Sequence, residues 1–233
     1  MINHILYDNK DLADYGLYIS GHGTFNAPAR KVSVIEIPGR NGSLTLDDGN
    51  YNNIEVKYIS FIPEGMKLNT EGLRNFLLSK SSYRRLEDTF HPDEFRMARY
   101  VSGIEYEPSQ MHVAASTELV FDCKPQRYLK AGEQTITLTA AGHIYNSEEM
   151  AALPLIRAYG TGSFSINGNT VTIGSGAAYT DIDCETQEAY TGTTSRNSAV
   201  TLSNGFPSLI PGDNSITITS LTSIVITPRW WRL

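Results

Sequence analysis

The segment 32–58 constrains the fold of this chain more than any other stretch, because strand-like and turn-like sequences alternate along it. Residues 32–37 alternate between two faces and are rich in β-branched side chains, which favours a strand. Asn41-Gly42 is a favoured pair for a tight turn, since both residues tolerate positive φ, and the acidic-Gly sequence 47–50 predicts a second turn. Residues 53–59 then alternate again. The segment therefore predicts three strands joined by two turns.

Composition limits the classes of partner. The formal net charge is −6, from 19 basic and 25 acidic residues, which argues against binding to duplex nucleic acid. No apolar run approaches the roughly 20 residues that a membrane-spanning helix needs. The first residues lack a basic region followed by an apolar core, so we expect no secretory signal. Cys123 and Cys184 form no CxxC pair, and we expect two buried, reduced thiols rather than a disulfide or a metal site.

One amphipathic helix is predicted over about 70–81. Asn69 or Thr70 can cap it, and Glu71 would lie in the first turn, where the helix dipole favours an anion. Its apolar face consists of Leu73, Phe76 and Leu77. A single such helix in a strand-rich chain must cover a sheet to bury that face.

A strand, a turn and a second strand are predicted over about 83–106. Four arginines give this segment a positive character: Arg84, Arg85, Arg96 and Arg99.

The composition changes near Ala131-Gly132. All lysines lie at or before Lys130, and residues 131–227 contain 2 basic and 8 acidic residues. This change predicts two domains, 1–130 and 131–233. The second half contains many short strand-like segments, and Asn167-Gly168 marks its clearest hairpin. Many short strands at regular spacing predict a sandwich or jelly roll.

Three carboxylates, Asp181, Asp183 and Glu185, occupy every second position of a predicted strand and would share one face. Such a set could bind Ca²⁺, but it lacks the loop and carbonyl ligands of a usual site, so we predict a solvated or interface-facing strand edge. His22, between two glycines, is interpreted as a solvated side chain. No set of residues has the spacing of a catalytic site, and we expect no cofactor and no metal.

Trp230 and Trp231 are adjacent, and on a strand they would point to opposite faces. Two interpretations remain open for this pair. Either one tryptophan is an interface anchor beside Arg229 and Arg232, or both pack within the monomer.

Several segments, in the same order along the chain, resemble the family of distal tail proteins, which build the hub at the tip of long, non-contractile bacteriophage tails. The first is the turn Pro38-Gly39-Arg40-Asn41-Gly42 followed by the acidic-Gly turn and Tyr51-Asn52-Asn53. The others are Phe121-Asp122-Cys123-Lys124-Pro125, Pro154-Leu155-Ile156-Arg157, the acidic strand at Asp181, Pro211-Gly212-Asp213-Asn214 and Pro228-Arg229-Trp230-Trp231.

The resemblance implies a mostly β fold with two β-sandwich domains. The first would carry one helix and a protruding hairpin, and the second would be galectin-like or jelly-roll. It also implies a homo-oligomer, a hexameric ring that joins the tail tube protein to tail-tip or receptor-binding proteins. The protein would be a structural, non-enzymatic virion component of the phage tail tip, assembled in the host cytoplasm, with no nucleic-acid or membrane partner.

On this interpretation the segment 83–106 is the candidate hairpin arm for ring contacts. The candidate interface residues are Arg40, Tyr51, Arg84, Arg85, Arg96, Arg99, Trp230 and Trp231. The alternative function is a carbohydrate-binding module that acts in host adsorption, because galectin-like sandwiches can hold sugars on aromatic side chains. Its candidate residues are Tyr145, Tyr179 and Tyr190.

Overall fold

The computed structural model describes residues 2–20, 26–109 and 111–233. The contacts divide the chain into two compact units. One extends to Arg127 and also includes Leu233, and the other spans Tyr128–Arg232. His22 lies outside the described residues. The roles that sequence analysis gave to 1–130 and 131–233 stay predictions.

The first unit is built on one large sheet with the strand order β2-β1-β7-β8-β10-β6-β3, and β9 pairs with the beginning of β10. In chain order the strands are β1 (Ile5–Tyr7), β2 (Lys10–Asp11), β3 (Tyr18–Ile19), β4 (Arg30–Glu36), β5 (Ser43–Tyr51), β6 (Ile54–Ile62), β7 (Arg84–Asp88), β8 (Glu94–Tyr100), β9 (Glu107–Pro108) and β10 (Ala115–Leu129). Strands β4 and β5 pair with each other and form a separate two-stranded sheet.

The described residues contain one α-helix, α1 (Met66–Leu78), with short 3-10 helices at Leu12–Tyr15, Lys130–Glu133 and Asn197–Ala199. The prediction of a mostly β fold with one helix is confirmed. The helix begins four residues before the predicted start. Gly65 is its N-cap in the left-handed region (φ 66°), which glycine adopts without strain, and no side chain caps it.

The predicted caps of the helix have other roles. Asn69 Nδ2 donates to the Glu64 carbonyl at 3.2 Å, and Thr70 Oγ1 donates to the Met66 carbonyl inside the helix at 2.8 Å. The backbone of Gly65 therefore sets the start of the helix, and a pattern of capping side chains does not reveal it.

The apolar face of α1 covers the large sheet, as its spacing predicts. Leu73 and Leu77 are fully buried, and Phe76 packs at the edge of the same core. On the sheet side the rings of Tyr7 and Phe121 lie 5.2 Å apart between centroids, which contributes about 1 kcal/mol beyond the area that they bury.

The second unit is a β-sandwich. One sheet has the order β11-β21-β13-β16-β17-β18, and the other has the order β12-β20-β14-β15-β19. The strands are β11 (Ile136–Leu138), β12 (Gly142–Asn146), β13 (Leu155–Tyr159), β14 (Gly162–Ile166), β15 (Asn169–Ile173), β16 (Tyr179–Asp183), β17 (Glu188–Thr191), β18 (Thr194–Ser195), β19 (Val200–Leu202), β20 (Gly212–Thr219) and β21 (Ser223–Thr227). The short strand β22 (Trp231–Arg232) belongs to neither of these two sheets. Residues from both sheets form one buried cluster, among them Ile156, Ile182, Phe164 and Val171.

The hairpin predicted over 83–106 exists, but it does not protrude. Its strands β7 and β8 lie inside the large sheet, between β1 and β10, because each is paired on both sides. The hairpin that stands apart from the large sheet is β4–β5.

Among the described residues, no helix has both the length and the apolar character that a membrane-spanning helix needs.

Candidate interaction surface

The β4–β5 hairpin carries an exposed aliphatic face. Ile35 pairs directly with Leu44, and Ser33 pairs with Leu46, so these side chains leave the same side of the hairpin. Ile37 continues the alternation. We call Ile35, Ile37, Leu44 and Leu46 the aliphatic face. Their exposed fractions are 44%, 37%, 42% and 49%, respectively. The structure thus leaves four large aliphatic side chains together in contact with solvent.

The opposite side of the hairpin is more polar. Val34 pairs with Thr45, and Val32 pairs with Asp47. The two valines are also exposed, but each faces a polar partner. The strands are therefore apolar on one side and mixed on the other.

Charged and aromatic side chains fix the base of the hairpin. Arg30 donates to Asp47 Oδ2 at 2.6 Å and to the Tyr51 hydroxyl at 2.9 Å. Hydrogen bonds from the Gly49 N–H and from Arg30 lower the pKa of Asp47. The Asn52 N–H closes the base on the Ala29 carbonyl at 2.9 Å. Tyr51, a predicted interface residue, thus belongs to the hairpin and helps to hold it.

Arg40 lies at the tip of the same hairpin and is exposed. Gly39 and Gly42 flank it with φ of 82° and 81°, the left-handed conformation that makes glycine suitable at this turn. Of the predicted interface residues, the structure brings Arg40 and Tyr51 together on one element.

The four arginines predicted on the arm have neighbours within the first unit. Arg84 pairs with Asp8 at 3.8 Å, Arg85 with Glu87, and Arg99 Nε with Asp122 Oδ2 at 2.6 Å. Charge reversal at these positions would place a carboxylate beside a carboxylate. We therefore expect charge reversal at these positions to lower the stability of the first unit. A role of these arginines in ring contacts stays a prediction.

Arg96 is partly buried, as the other three arginines are. Burial lowers the pKa of its guanidinium, and its Nη1 atom is buried without a hydrogen-bond partner. It lies against a small cavity that Tyr58, Asp88, His91 and other residues of the first unit also line. Reversing its charge would place a carboxylate in this partly buried site, at a cost in desolvation.

Sequence analysis predicted that the acidic strand of the second unit is a solvated or interface-facing edge. The structure contradicts that prediction. Asp181 and Asp183 are buried, at 4% and 7% exposed. Arg157 donates to both carboxylate oxygens of Asp181, at 2.7 and 2.9 Å. Arg229 does the same for Asp183, at 2.7 and 3.0 Å. The prediction was wrong because both arginines are distant in sequence and reach these carboxylates only in the folded sheet.

The electrostatics of Asp183 favours its ionised form. Burial raises the pKa of Asp183, but the hydrogen bonds and charge of Arg229 outweigh it, so the net pKa lies below the usual value. The partner Asp181 raises the pKa of Arg157. Glu185 lies beyond the end of β16, in a turn. Among the described residues, no group of three His, Cys, Asp or Glu side chains is placed to hold a metal ion.

The three tyrosines predicted to bind carbohydrate do not all lie at one site. Tyr179 and Tyr190 lie on neighbouring strands of the six-stranded sheet, whereas Tyr145 lies on the five-stranded sheet and is 70% exposed. The Arg157 guanidinium lies 4.4 Å from the Tyr179 ring centroid, so one face of that ring is occupied. Tyr190 is the predicted aromatic residue that remains beside an open groove.

Trp230 and Trp231 both pack against the core of the second unit. Trp231 Nε1 donates to the Ala151 carbonyl at 3.0 Å. The interpretation that both pack within the monomer therefore has structural support, and their role as interface anchors stays a prediction.

Sequence reasoning missed the aliphatic face, although its signal is present. Residues 32–37 are apolar on both faces, a pattern typical of a strand that is covered on both sides. In the described structure nothing covers the aliphatic face.

Comparison with known proteins agrees with this architecture. No protein-family model matches the chain, and a comparison with curated proteins finds no match. Solved structures do match, and they come from the hubs and baseplates of bacteriophage tails. The chain therefore has the fold of phage tail-hub proteins.

One of these structures is the Dit (gp 19.1) protein of phage SPP1, described as a paradigm of the hub adsorption apparatus of phages that infect Gram-positive bacteria. It aligns with a TM-score of 0.76 and 18% identity over 100% of both chains. A chain of the phage P2 baseplate in its activated conformation with calcium aligns with a TM-score of 0.55 and 9% identity over 97% of each chain. The corresponding structure with strontium gives the same TM-score and identity over 100% of this chain and 98% of the other. The resemblance to distal tail proteins is thus confirmed at the level of the fold.

Proposed function

We propose that this protein is a structural component of a bacteriophage tail hub and that it assembles with copies of itself into a closed ring. The ring would have six copies, as the resemblance to distal tail proteins implies. The ring joins the tail tube to tail-tip or receptor-binding proteins. The protein belongs to the virion, at the tail tip, and assembles in the host cytoplasm. It works by binding and not by catalysis. The fold shared with the SPP1 Dit protein supports this proposal.

The aliphatic face is the observation that carries the proposal. A two-stranded hairpin is marginally stable by itself in water, and one that exposes Ile35 and Leu44 side by side gains stability when a partner covers it. Arg40 at the tip and the Arg30–Asp47 pair at the base place charged side chains at both ends of the hairpin. These charges can determine how the hairpin aligns with a partner surface. Both features are typical of a docking element.

A contact between the hairpin and a different surface of the next copy is heterologous. Such contacts close into a ring when the rotation between copies is right. Each copy then contributes its hairpin to one interface and, to the interface on its other side, the surface that binds the neighbour's hairpin.

The strength of the contact follows from exposure. Burying an aliphatic side chain completely contributes about 1.5–3 kcal/mol, and the side chains of this face are already about half buried, so each can add about 1 kcal/mol. Replacing Ile35 and Leu44 by serine therefore removes about 2 kcal/mol per interface, about 30-fold in the association constant.

Sedimentation velocity over a concentration series tests this proposal. Wild-type protein should form one discrete assembly, and the double variant Ile35→Ser/Leu44→Ser should need about 30-fold more protein to do so. Ile210→Ser is the matched control, because Ile210 is 45% exposed and lies in the second unit. It should assemble like the wild type. Equal assembly of the double variant and the wild type would refute the assigned role of the hairpin.

A further inference from the structure

We propose that Asn41, at the tip of the β4–β5 hairpin, is a site of spontaneous covalent modification. The backbone nitrogen of Gly42 attacks the side-chain amide of Asn41, and hydrolysis of the product leaves aspartate or isoaspartate at this position. The inference does not depend on the ring, because the reaction needs only this turn and water.

The reaction balances without a cofactor. A bond forms between the Gly42 nitrogen and Cγ of Asn41, the Cγ–Nδ2 bond breaks, and the amide nitrogen leaves as ammonia. The cyclic imide that results then takes up one water molecule. Water that attacks Cγ gives aspartate, and water that attacks the main-chain carbonyl gives isoaspartate, in which the chain runs through the side chain. The attacking nitrogen must be uncrowded, and glycine meets this condition because it has no Cβ.

The chain contains three Asn-Gly pairs, which begin at Asn41, Asn167 and Asn204, and all three asparagines are exposed. A Cβ built on the glycine of any pair would meet nothing within 4 Å, so the space around the turn does not distinguish them. The hydrogen bonds around each asparagine do differ. We infer that they decide which pair can reach the geometry of attack.

Asn167 is held at both ends of its amide. Its Nδ2 atom donates to Asn214 Oδ1 at 2.8 Å, and its Oδ1 atom accepts from the Ser215 N–H at 3.0 Å. The Asn167 N–H also donates to the Ser215 carbonyl at 2.9 Å. Turning Cγ towards the Gly168 nitrogen would break these bonds, so the reaction at this pair must wait for local opening of the turn.

Asn204 is restrained through its backbone. Asn169 Nδ2 donates to the carbonyls of Asn204 and Gly205, both at 3.1 Å, and Asn169 Oδ1 accepts from the Asn204 N–H at 3.2 Å. The peptide group that must rotate during the attack is therefore held on both sides, although the Asn204 side chain has no hydrogen-bond partner among the described residues.

Asn41 has neither restraint. Among the described residues, nothing forms a hydrogen bond with its side chain, and the Gly42 N–H has no backbone partner. The turn is closed by one backbone bond, from the Arg40 N–H to the Ile37 carbonyl at 3.2 Å. The expected order of rates is therefore Asn41 first, then Asn204, then Asn167.

The product changes the charge of the hairpin tip. Residues 37–42 carry one charged side chain, Arg40, and a carboxylate at position 41 would offset it. Isoaspartate also adds one carbon to the main chain just before β5. Any consequence for the docking of the hairpin rests on the proposed function, whereas the reaction itself does not.

Peptide mapping by mass spectrometry follows all three sites in one sample. The full-length protein is incubated in mildly alkaline buffer made with heavy-oxygen water and is then digested at acidic pH in ordinary water. Heavy oxygen in a peptide marks hydrolysis that took place during the incubation. We expect modification of Asn41 at least about tenfold faster than that of Asn167, with Asn204 between them. An unmodified Asn41, or an Asn167 that reacts as fast as Asn41, would overturn the proposal.

The denatured chain is the control for the effect of neighbouring residues in the sequence. In guanidinium chloride the three pairs lose their hydrogen bonds, so their rates should agree within about threefold. If the denatured chain kept the native order and spread of rates, the fold would not be the cause, and the assignment would be contradicted.

A substitution and the identity of the product test the attack by Gly42. Asn41→Gln keeps an exposed amide but requires a larger, slowly formed ring, so it should abolish modification of the hairpin and leave the rates at Asn167 and Asn204 unchanged. Enzymatic methylation specific for isoaspartate should label position 41 of the incubated wild type. Aspartate without isoaspartate would indicate direct hydrolysis of the side chain and would overturn the attack by the Gly42 nitrogen.

Discussion

Asn214 is the polar residue whose removal should damage the second unit most. Its side chain is fully buried at the start of β20. Its Nδ2 atom lies 3.2, 2.9 and 3.1 Å from the carbonyl oxygens of Ile144, Ile210 and Gly212. Its Oδ1 atom accepts from the Ile210 N–H and from Asn167 Nδ2, both at 2.8 Å. One amide thus joins β12, a turn and the β14–β15 hairpin.

The expected loss in the free energy of unfolding follows from the polar groups that would lose their hydrogen-bond partner in Asn214→Ala. In Asn214→Ala, the Asn167 amide can turn to water because it is exposed. The hydrogen bond to the Ile144 carbonyl is buried and the one from the Ile210 N–H is part-buried. Leaving these two groups without partners should cost about 2–3 kcal/mol of the free energy of unfolding. Thr201→Ala, at an exposed position of the same unit, should cost less than about 0.5 kcal/mol.

Urea unfolding followed by tryptophan fluorescence measures this loss. The chain has 2 tryptophans, and Trp230 and Trp231 both belong to the second unit, so the signal reports on that unit. Asn214→Asp adds a second test. It places a carboxylate oxygen against three carbonyls, which raises the pKa of the new side chain in the folded state. Its stability should therefore fall as the pH rises. A loss below about 0.5 kcal/mol in Asn214→Ala would refute the reasoning.

Two further predictions concern the close packing of the same unit and the buried thiols. A Cβ on Gly132 would collide with the backbone nitrogen of Trp230, so Gly132→Ala should cost about 1–3 kcal/mol by the same fluorescence assay. Thr201→Ala, at an exposed position of the same unit, is again the neutral control. Burial raises the pKa of Cys123 and Cys184 to about 12, so neither thiol should react with a disulfide reagent at pH 8 before unfolding. Because the pKa of each thiol in the folded protein exceeds its ordinary value of 9.0, stability should be unaffected below pH 9. It should then fall by about 1.4 kcal/mol per pH unit for each thiol as the pH rises towards the folded pKa. Rapid labelling of the native protein would contradict this.

Local chemistry predicted the elements that depend on a few neighbouring residues. Asn167-Gly168 forms the turn between β14 and β15, with φ of 52° and 82°, because these residue types tolerate positive φ. The apolar stripe of Leu73 and Leu77 lies against the core as its spacing requires. The prediction of free, buried cysteines is confirmed as well.

The position of the protruding hairpin could not be predicted locally. The sequences of 32–46 and 83–106 both predict two strands with a turn. One hairpin lies inside the large sheet and the other stands apart because their strands pair with different partners. β7 finds β1, which is far away in sequence, whereas β4 and β5 find only each other. The choice of partner strand depends on the whole sheet, so alternation and turn residues cannot reveal it.

The candidate sites show the same limit. The alternation of Asp181 and Asp183 correctly places them on one face, but their burial depends on Arg157 and Arg229, which arrive from other strands. Tyr190 is among the predicted aromatic residues, and its direct pairing with Ser195 became apparent only through the strand register.

Imaging the unmodified protein by negative-stain electron microscopy tests the central claim most directly, which is that this fold assembles through its hairpin into a closed hub. The account predicts class averages of rings of one size with six-fold symmetry and a central opening. Monomers at every concentration, or open chains of variable length, would contradict it.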